Sequence, residues 1–196
     1  MKFYGILTTF LPSLVLSQRG DECEWLQGGY GQPIECLPGW IAKGACGSGG
    51  HADCKTGVRD KSFSKLLCCH TKYDNDPRSN CQEADGGDGE EIYCPTGADG
   101  TINELAALCS SGRSADCKAP SNGKKYYDYI SCCESNDVTL GPIELCSWRY
   151  GNYGDDLECP AGYALGGYCG SGRNGHCGAG DTYTGILCCP YTDNKD

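Results

Sequence analysis

The chain has 196 residues, and its 18 cysteines and 30 glycines already argue against most fold classes. This cysteine content lies within the ~8–10% that marks disulfide scaffolds, and it indicates an oxidising compartment. Acidic residues outnumber basic ones by 26 to 16, which gives a net charge of −10. Phosphate backbones and anionic lipid surfaces repel such a protein, so we expect no nucleic-acid partner.

The N-terminal segment predicts secretion. Lys2 precedes a short apolar run from Tyr4 to Leu16, and Val15-Leu16-Ser17 has residues that suit a signal peptidase. No later apolar run approaches the ~20 residues of a membrane span. We therefore expect residues 1–17 to be a signal peptide and the mature protein to be extracellular.

The cysteines fall into three sets of six with a shared spacing. In each set twelve residues separate the first two cysteines, seven separate the third from the fourth, and the last two are adjacent. The sets are Cys23, Cys36, Cys46, Cys54, Cys68 and Cys69; Cys81, Cys94, Cys109, Cys117, Cys132 and Cys133; and Cys146, Cys159, Cys169, Cys177, Cys188 and Cys189. This spacing predicts three repeats, at 18–73, 74–137 and 138–196. Each repeat is expected to hold three internal disulfides, whose connectivity the sequence leaves open.

Short strand-like runs dominate each repeat, at 40–42, 126–130 and 185–187. Segment 102–108, which coincides with five extra residues in the second repeat, fits one short helix instead. An adjacent cysteine pair in a strand can send one sulfur to each side of its sheet. Because each repeat is too small to bury a full sheet face alone, we expect an all-β, pseudo-threefold assembly.

The third repeat carries a recognisable pattern. It runs from Cys-Pro-x-Gly at 159–162 through Asp181-Thr182 to Gly-Ile-Leu-Cys at 185–188, with aromatic and Gly residues before it at 148–154. This pattern resembles the vitelline-membrane outer-layer protein family, and the other two repeats keep parts of it. The resemblance implies a β-prism of three Greek-key sheets, a secreted coat protein and contact with glycans. The chain also resembles uncharacterised secreted Cys-rich repeat proteins.

Catalytic and metal sites are not predicted. His51, His70 and His176 are the only near-neutral bases, and none recurs in register, so we expect a protein that is not an enzyme. The acidic run 85–91 and the pair Asp155-Asp156 are candidates for acid–base work or for binding a hard cation. Gly-spaced acids are usually solvated loops, and the run 85–91 lacks the spacing of a calcium loop. The single cysteines are too far apart for zinc knuckles, so no cofactor or metal is expected. The tripeptide at 19–21 spells Arg-Gly-Asp, an integrin-type match that three residues alone support weakly.

Aromatic residues beside glycines are the candidate ligand-binding residues. Flat rings can stack on sugars, and the hydroxyl or indole N–H can bond to sugar hydroxyls, but the same rings can also fill a small core. Both interpretations stay open at this point. In register, the candidate glycan-binding residues are Trp25 with Trp148, Tyr30 with Tyr153, and Trp40 with Tyr163.

The first functional hypothesis is a secreted, non-enzymatic protein of an extracellular coat, wall or matrix. Its partners would be polysaccharide or other coat components, and it could assemble with itself. The alternative is a secreted effector, toxin or inhibitor that acts on a protein target of another organism. Retention on insoluble polysaccharide favours the first, whereas a soluble monomer with one protein target favours the second.

Overall fold

The computed structural model describes residues 22–29, 31–47, 54–55, 61–62, 64–71, 78–97, 99–110, 117–118, 123–136, 138–170, 176–178, 180 and 182–194. Strands form nearly all regular structure in these ranges, and the one helical element there is a single 3-10 turn, Ile143–Leu145. The predicted all-β class is therefore confirmed. None of the described residues belongs to a helix long and apolar enough to cross a membrane.

Eighteen strands are present in the described part of the chain. In chain order they are β1 (Cys23–Gly28), β2 (Ile34–Glu35), β3 (Trp40–Gly47), β4 (Cys54–Lys55), β5 (Lys61–Ser62), β6 (Ser64–His70), β7 (Ser79–Gly86), β8 (Ile92–Tyr93), β9 (Thr101–Ile102), β10 (Glu104–Ser110), β11 (Cys117–Lys118), β12 (Lys125–Tyr126), β13 (Asp128–Glu134), β14 (Val138–Pro142), β15 (Ser147–Gly151), β16 (Leu157–Glu158), β17 (Tyr163–Gly170) and β18 (Thr184–Asp193). The strand-like runs predicted at 40–42, 126–130 and 185–187 fall on β3, on β12 and β13, and on β18.

Each cysteine set builds an antiparallel sheet whose last long strand lies in the middle. Sheet 1 has the order β1–β6–β3, sheet 2 the order β7–β13–β10, and sheet 3 the order β15–β18–β17. The middle strands β6, β13 and β18 contain the adjacent cysteine pairs. Sheet 3 extends further, because the end of β18 pairs with β14 and β14 pairs with β9.

Three two-residue strands each pair with a long strand that belongs to a different cysteine set. Strand β2 of the first set pairs with β10 in sheet 2, β8 of the second set pairs with β17 in sheet 3, and β16 of the third set pairs with β3 in sheet 1. Each set thus donates a strand to another, and the exchange runs in a cycle. Strands β1 and β7 still end their sheets. The sheets are therefore open, and the β-prism that the family resemblance implies is not confirmed.

A one-residue register shift marks the point of exchange in every sheet. The shifts fall at Lys43 in sheet 1, at Ala106 in sheet 2 and at Gly166 in sheet 3. The carbonyl of each shifted residue accepts a hydrogen bond from the second cysteine of the donating set: Cys159 N to Lys43 O at 2.7 Å, Cys36 N to Ala106 O at 3.0 Å, and Cys94 N to Gly166 O at 2.9 Å. A bulge of this kind re-aims the backbone, which here receives the incoming strand.

Glycine at the exchange point of sheets 1 and 3 makes room for the incoming strand. A Cβ on Gly44 would lie 2.6 Å from the Leu157 carbonyl oxygen, and one on Gly167 would lie 2.6 Å from that of Ile92. We expect Gly44→Ala and Gly167→Ala each to lower the free energy of unfolding by about 1–3 kcal/mol, because backbone cannot move aside cheaply. Denaturant unfolding measures this loss.

A matched control is Gly87→Ala, since the nearest atom to a Cβ there is the carboxylate end of a flexible Glu90 side chain, at 3.3 Å. The control should stay close to the parent protein. Equal losses at Gly44, Gly167 and Gly87 would show that the exchanged strands do not pack as described.

All 18 cysteines are paired, and every bridge lies within one set, as predicted. The connectivity that the sequence left open is the same in each set: first to sixth, second to fifth, and third to fourth. The bridges are Cys23–Cys69, Cys36–Cys68, Cys46–Cys54, Cys81–Cys133, Cys94–Cys132, Cys109–Cys117, Cys146–Cys189, Cys159–Cys188 and Cys169–Cys177.

The second-to-fifth bridge joins two sheets although both of its cysteines belong to one set. Cys36 directly follows β2, which lies in sheet 2, whereas Cys68 lies in the middle strand of sheet 1. Its neighbour Cys69 bonds to Cys23, its cross-strand partner on β1. The adjacent pair therefore sends its two sulfurs in different directions, as expected.

The core draws on all three sheets. One cluster of buried apolar residues contains Ile41 and Leu66 from sheet 1, Leu108 from sheet 2, and Tyr168 and Ile186 from sheet 3. The half-buried rings of Trp40, Trp148 and Tyr163 pack against it, as do several cysteines. Bridges thus supply part of the interior of a chain that has only three Phe.

The short helix predicted at 102–108 is wrong. The segment forms the end of β9 and most of β10, which lies between β2 and β13. Every residue of β10 is buried. Leu and Ala favour helices weakly, and tertiary pairing overrides that preference when a strand is covered on both faces.

Candidate functional site: an aromatic surface around Trp148

One face of sheet 3 carries a row of apolar side chains. Tyr93 pairs with Gly167, Gly167 with Leu187, and Leu187 with Trp148. Cross-strand partners share a face, and so do residues two apart in one strand, so Tyr150 lies on this face as well. In the neighbouring row, Tyr168 and Ile186 face the core and are fully buried.

Three aromatic rings contact one another across this row. The Tyr93 ring meets Trp148 edge-on, with ring centroids 5.5 Å apart and planes at 81°. The Tyr150 ring stacks on Trp148 at 5.8 Å and 12°. Tyr93 and Tyr150 remain 41% and 37% exposed, whereas Leu187 between the strands is buried. The rings therefore expose apolar area to solvent, and the buried Leu187 side chain lies on the same face between them.

Glu91 holds both tyrosine hydroxyls. The Tyr93 hydroxyl donates to Oε2 at 2.8 Å, and the Tyr150 hydroxyl donates to Oε1 at 2.6 Å. Burial raises the pKa of both tyrosines, and the hydrogen bonds to Glu91 raise them further. Both hydroxyls thus stay protonated, with their rings oriented. We call the group Glu91, Tyr93, Trp148 and Tyr150 the Trp148 surface.

Two glycines let the Tyr150 ring lie close to the backbone. A Cβ on Gly185, the cross-strand partner of Tyr150, would come within 3.0 Å of that ring, and one on Gly178 within 2.6 Å. Gly178 also has φ of +67°, a conformation that favours glycine. The ring therefore rests on backbone rather than on side chains.

Sheet 1 carries a different arrangement at the matching positions. Trp25 matches Trp148 there, because it pairs with Leu67 as Trp148 pairs with Leu187. The Lys65 ammonium lies 4.6 Å from the Trp25 ring centroid and 2.6 Å from Asp156 Oδ1. A buried lysine thus covers one side of the Trp25 ring, which leaves less of the ring for a ligand.

Sheet 2 is acidic at these positions. Glu83 occupies the place of the tryptophans, and the Tyr129 hydroxyl donates to its Oε1 at 3.2 Å. Burial, followed by the Glu83 charge, raises the pKa of Tyr129 to about 12. Of the three faces, as far as the chain is described, only that of sheet 3 combines stacked and exposed rings.

The structure does not gather the six candidate residues into one site. Trp148 lies at the centre of the Trp148 surface, whereas Trp25 contacts Lys65 and Trp40 meets His70 edge-on at 5.1 Å. Tyr163 packs against the core. The Tyr153 ring stacks on Tyr183 at 3.9 Å and 19°. Tyr30 lies outside the described residues.

Sequence reasoning missed Tyr93 and Tyr150 as parts of a binding surface, and it considered Glu91 only as a member of the acidic run 85–91. Tyr150 was noted only as part of an aromatic and Gly segment. Tyr93 lies on β8, the strand exchanged into sheet 3, and Glu91 directly precedes that strand, so no pattern within one repeat could place them beside Trp148. Two residues are too few for a strand signal.

The other sequence candidates have structural partners or lie elsewhere. Asp155 accepts a hydrogen bond from Asn152 N, Asp156 bonds to Lys65, and His176 lies 5.3 Å from the Tyr183 ring. Within the described ranges, no group of three or more His, Cys, Asp or Glu residues could hold a metal ion. His51 and the Arg-Gly-Asp tripeptide at 19–21 are outside those ranges.

Comparison of the chain with protein-family models, with curated proteins and with solved structures finds no match in any of the three.

Proposed function

We propose that the protein is a secreted, non-enzymatic component of an extracellular coat, wall or matrix that contacts polysaccharide through the Trp148 surface. The observation that carries this proposal is the pair of stacked rings, Trp148 and Tyr150, with Tyr93 edge-on beside them and both hydroxyls fixed on Glu91. Rings fixed before binding lose little entropy when a ligand arrives.

The chemistry of the surface favours a sugar chain without acidic groups. Ring faces stack on the apolar faces of pyranoses, and oriented tyrosine hydroxyls bond to sugar hydroxyls. The protein has a net charge of −10, and a carboxylate lies at the centre of the surface. Both repel an anionic polysaccharide.

The proposal includes a β-prism-like arrangement of three repeats with pseudo-threefold symmetry. The cyclic exchange of short strands and the register shift in each sheet support it, because each set then completes the sheet of another. The resemblance of the third repeat to the vitelline-membrane outer-layer family supports the coat role. Assembly of many copies into a coat is part of the same proposal.

Removing a ring from the surface tests the binding role. We expect Tyr150→Ala to weaken retention on insoluble neutral polysaccharide by roughly thirtyfold, the effect of losing about 2 kcal/mol at a central contact. Tyr150→Phe keeps the ring and loses only the bond to Glu91, so it should retain most binding. A pull-down against a panel of neutral and acidic polysaccharides measures both.

Stability separates a binding residue from a packing residue. Tyr150 is 37% exposed, so the alanine variant should melt within a few degrees of the parent protein. Leu145→Ala, at a 60% exposed position outside the surface, is the matched control and should change neither property. Unchanged retention by Tyr150→Ala, or no retention of the parent protein on any polysaccharide, would reject the glycan role.

A further inference from the structure

The second cysteine set contains an insertion that the shared sheet plan does not need. Fourteen residues separate Cys94 from Cys109, whereas nine separate the matching cysteines of the other sets. The insertion forms a turn, closed by a hydrogen bond from Gly100 N to Gly97 O at 3.0 Å, and strand β9. Additions to a rigid scaffold often carry function.

A pocket of about 360 Å³ lies between this insertion and the ends of β13 and β14. We call it the insertion pocket. Its volume is near the lower end of the ~300–1,000 Å³ typical of small-molecule sites, so it suits a small ligand. The lining is largely polar and includes Asp99, Asn103, Glu104, Glu134, Ser135 and Thr139.

The charge of the insertion pocket is negative. Three carboxylates line it, and none of its described lining residues is Lys or Arg. Arg78 compensates Glu104, with Nε 2.7 Å from Oε1 and both side chains less than a tenth exposed. Hydrogen bonds from the Thr101 hydroxyl and N–H lower the pKa of Asp99, which is therefore ionised. Asp99 and Glu134 remain as uncompensated charges on the pocket wall.

Several polar atoms of the wall are unused. Asn103 is 8% exposed, and only its backbone forms a hydrogen bond, to Pro95 O, so its carboxamide has no partner among the described residues. Asp99 accepts both bonds from Thr101 through Oδ1, and Glu134 accepts one from Asn80 through Oε2. Their second oxygens have no partner in the same ranges. The Asn103 amide and the two carboxylates therefore offer hydrogen-bonding atoms to a ligand in the pocket.

We propose that the insertion pocket binds the primary ammonium group of a small hydroxylated molecule, such as an amino-sugar unit. An ammonium group has three donors and no acceptor, which matches the free oxygens of Asp99, Glu134 and Asn103. Hydroxyls on the ligand would reach Ser135 and Thr139. A metal ion fits less well, since the described residues include no group of three or more His, Cys, Asp or Glu that could hold one. The site is separate from the Trp148 surface and does not depend on it.

Calorimetric titration with glucosamine at pH 6, where the amine is protonated, tests the proposal. Glucose is the neutral control of the same shape and should bind at least about tenfold more weakly, as expected for losing one charge-assisted hydrogen bond. Glu134→Gln, an exposed position that should fold normally, is expected to weaken glucosamine by a similar factor. Asn103→Ala tests the amide.

The control variant is Glu158→Gln, an exposed carboxylate on β16 outside the pocket, which should leave the dissociation constant unchanged. Lysine amide forms a second arm: weaker binding than glucosamine supports recognition of the amine together with its hydroxyls, and equal binding overturns the requirement for hydroxyls. Equal affinity for glucose and glucosamine, no saturable binding, or an unchanged constant in Glu134→Gln would overturn the ammonium site. Polysaccharide retention through the Trp148 surface should be normal in Glu134→Gln, so the two proposals fail separately.

Discussion

Replacing both Cys36 and Cys68 by alanine should lower the free energy of unfolding by about 3–5 kcal/mol. This bridge spans a sequence separation of 32 and joins the middle strand of sheet 1 to the segment that β2 carries into sheet 2. Its loss frees a long loop in the unfolded chain and also releases the exchanged strand. Guanidinium unfolding under non-reducing conditions measures the change.

The double variant Cys46→Ala/Cys54→Ala is the matched control. Its bridge is equally buried but spans a separation of only 8 within one set. Loop-closure entropy for so short a loop is about 1 kcal/mol smaller. This bridge joins sheet 1 only to the two-stranded β4–β5 sheet, so no link between two of the three main sheets is lost. We therefore expect clearly less destabilisation. An equal decrease in the free energy of unfolding of the two double variants would show that the Cys36–Cys68 bridge stabilises the fold no more than the Cys46–Cys54 bridge.

The sequence predicted the parts of the fold that depend on local spacing. Cysteines at fixed intervals indicated three sets with internal bridges, and the runs at 126–130 and 185–187 indicated the strands that carry the adjacent pairs of the second and third sets. In the first set the predicted run, 40–42, falls on β3 and not on the middle strand β6. Both follow from the chemistry of neighbouring residues: a strand alternates its side chains, and an even number of cysteines can pair within a set.

Contacts between the sets could not be predicted in the same way. Strands β2, β8 and β16 have two residues each, and their partners are remote in sequence. Pairings of this kind depend on where the whole chain places two edges. The wrong helix at 102–108 has a related cause, because the burial of Leu105 and Leu108, which the register shift at Ala106 places on one face of β10, comes from sheets formed by other segments.

In the candidate site, too, the local sequence pointed to some residues, whereas contacts between the cysteine sets placed the others. Trp148 was selected because it lies beside glycines, and it is central to the aromatic surface. Tyr93 and Glu91 reach that surface only through the exchanged strand β8, so their role follows from topology and not from composition. The in-register tryptophan, Trp25, has a lysine against its ring, a difference caused by one residue, Lys65, at the position of Gly185.

A cluster of three buried polar residues should make the stability of the protein depend strongly on pH. Ser64, Asp128 and Thr184 each begin the middle strand of a sheet, and all three are fully buried. Ser64 Oγ donates to Ser110 O at 3.2 Å, Thr184 Oγ1 donates to Gly47 O at 3.2 Å, and Asp128 Oδ2 accepts from Gly170 N at 2.9 Å. These bonds join the three cysteine sets in a cycle.

Asp128 is the ionisable member of this buried polar cluster. Burial raises its pKa well above the ordinary value, and the charge of Asp88 in the turn after β7 raises it further. The nearby Ser110 hydroxyl and the Gly170 N–H oppose that rise in part. The remaining facing group is Tyr168, whose own pKa is raised by burial and then by Asp128. No cation compensates the carboxylate among these groups, so the folded protein favours protonated Asp128.

A raised carboxyl pKa makes the folded state bind more protons than the unfolded state. Between the unfolded value of about 3.9 and the folded value, the contribution of Asp128 to stability therefore falls as the pH rises, by at most about 1.4 kcal/mol per pH unit. Below about pH 4 both states are protonated and this loss disappears.

Asp128→Asn should consequently raise the melting temperature at pH 7 and leave it nearly unchanged at pH 3.5. The amide keeps an oxygen for Gly170 N–H and never ionises, so the variant should also lose the fall in stability between these pH values. Asp99→Asn is the matched control with the opposite sign: its pKa is lowered by Thr101, so that carboxylate stabilises the fold at neutral pH and loses the effect on acidification. Thermal melts from pH 3.5 to 8 measure both variants. If Asp128→Asn melts at a lower temperature than the parent protein at pH 7, then ionised Asp128 stabilises the buried polar cluster, and burial does not make the folded state favour the protonated carboxyl.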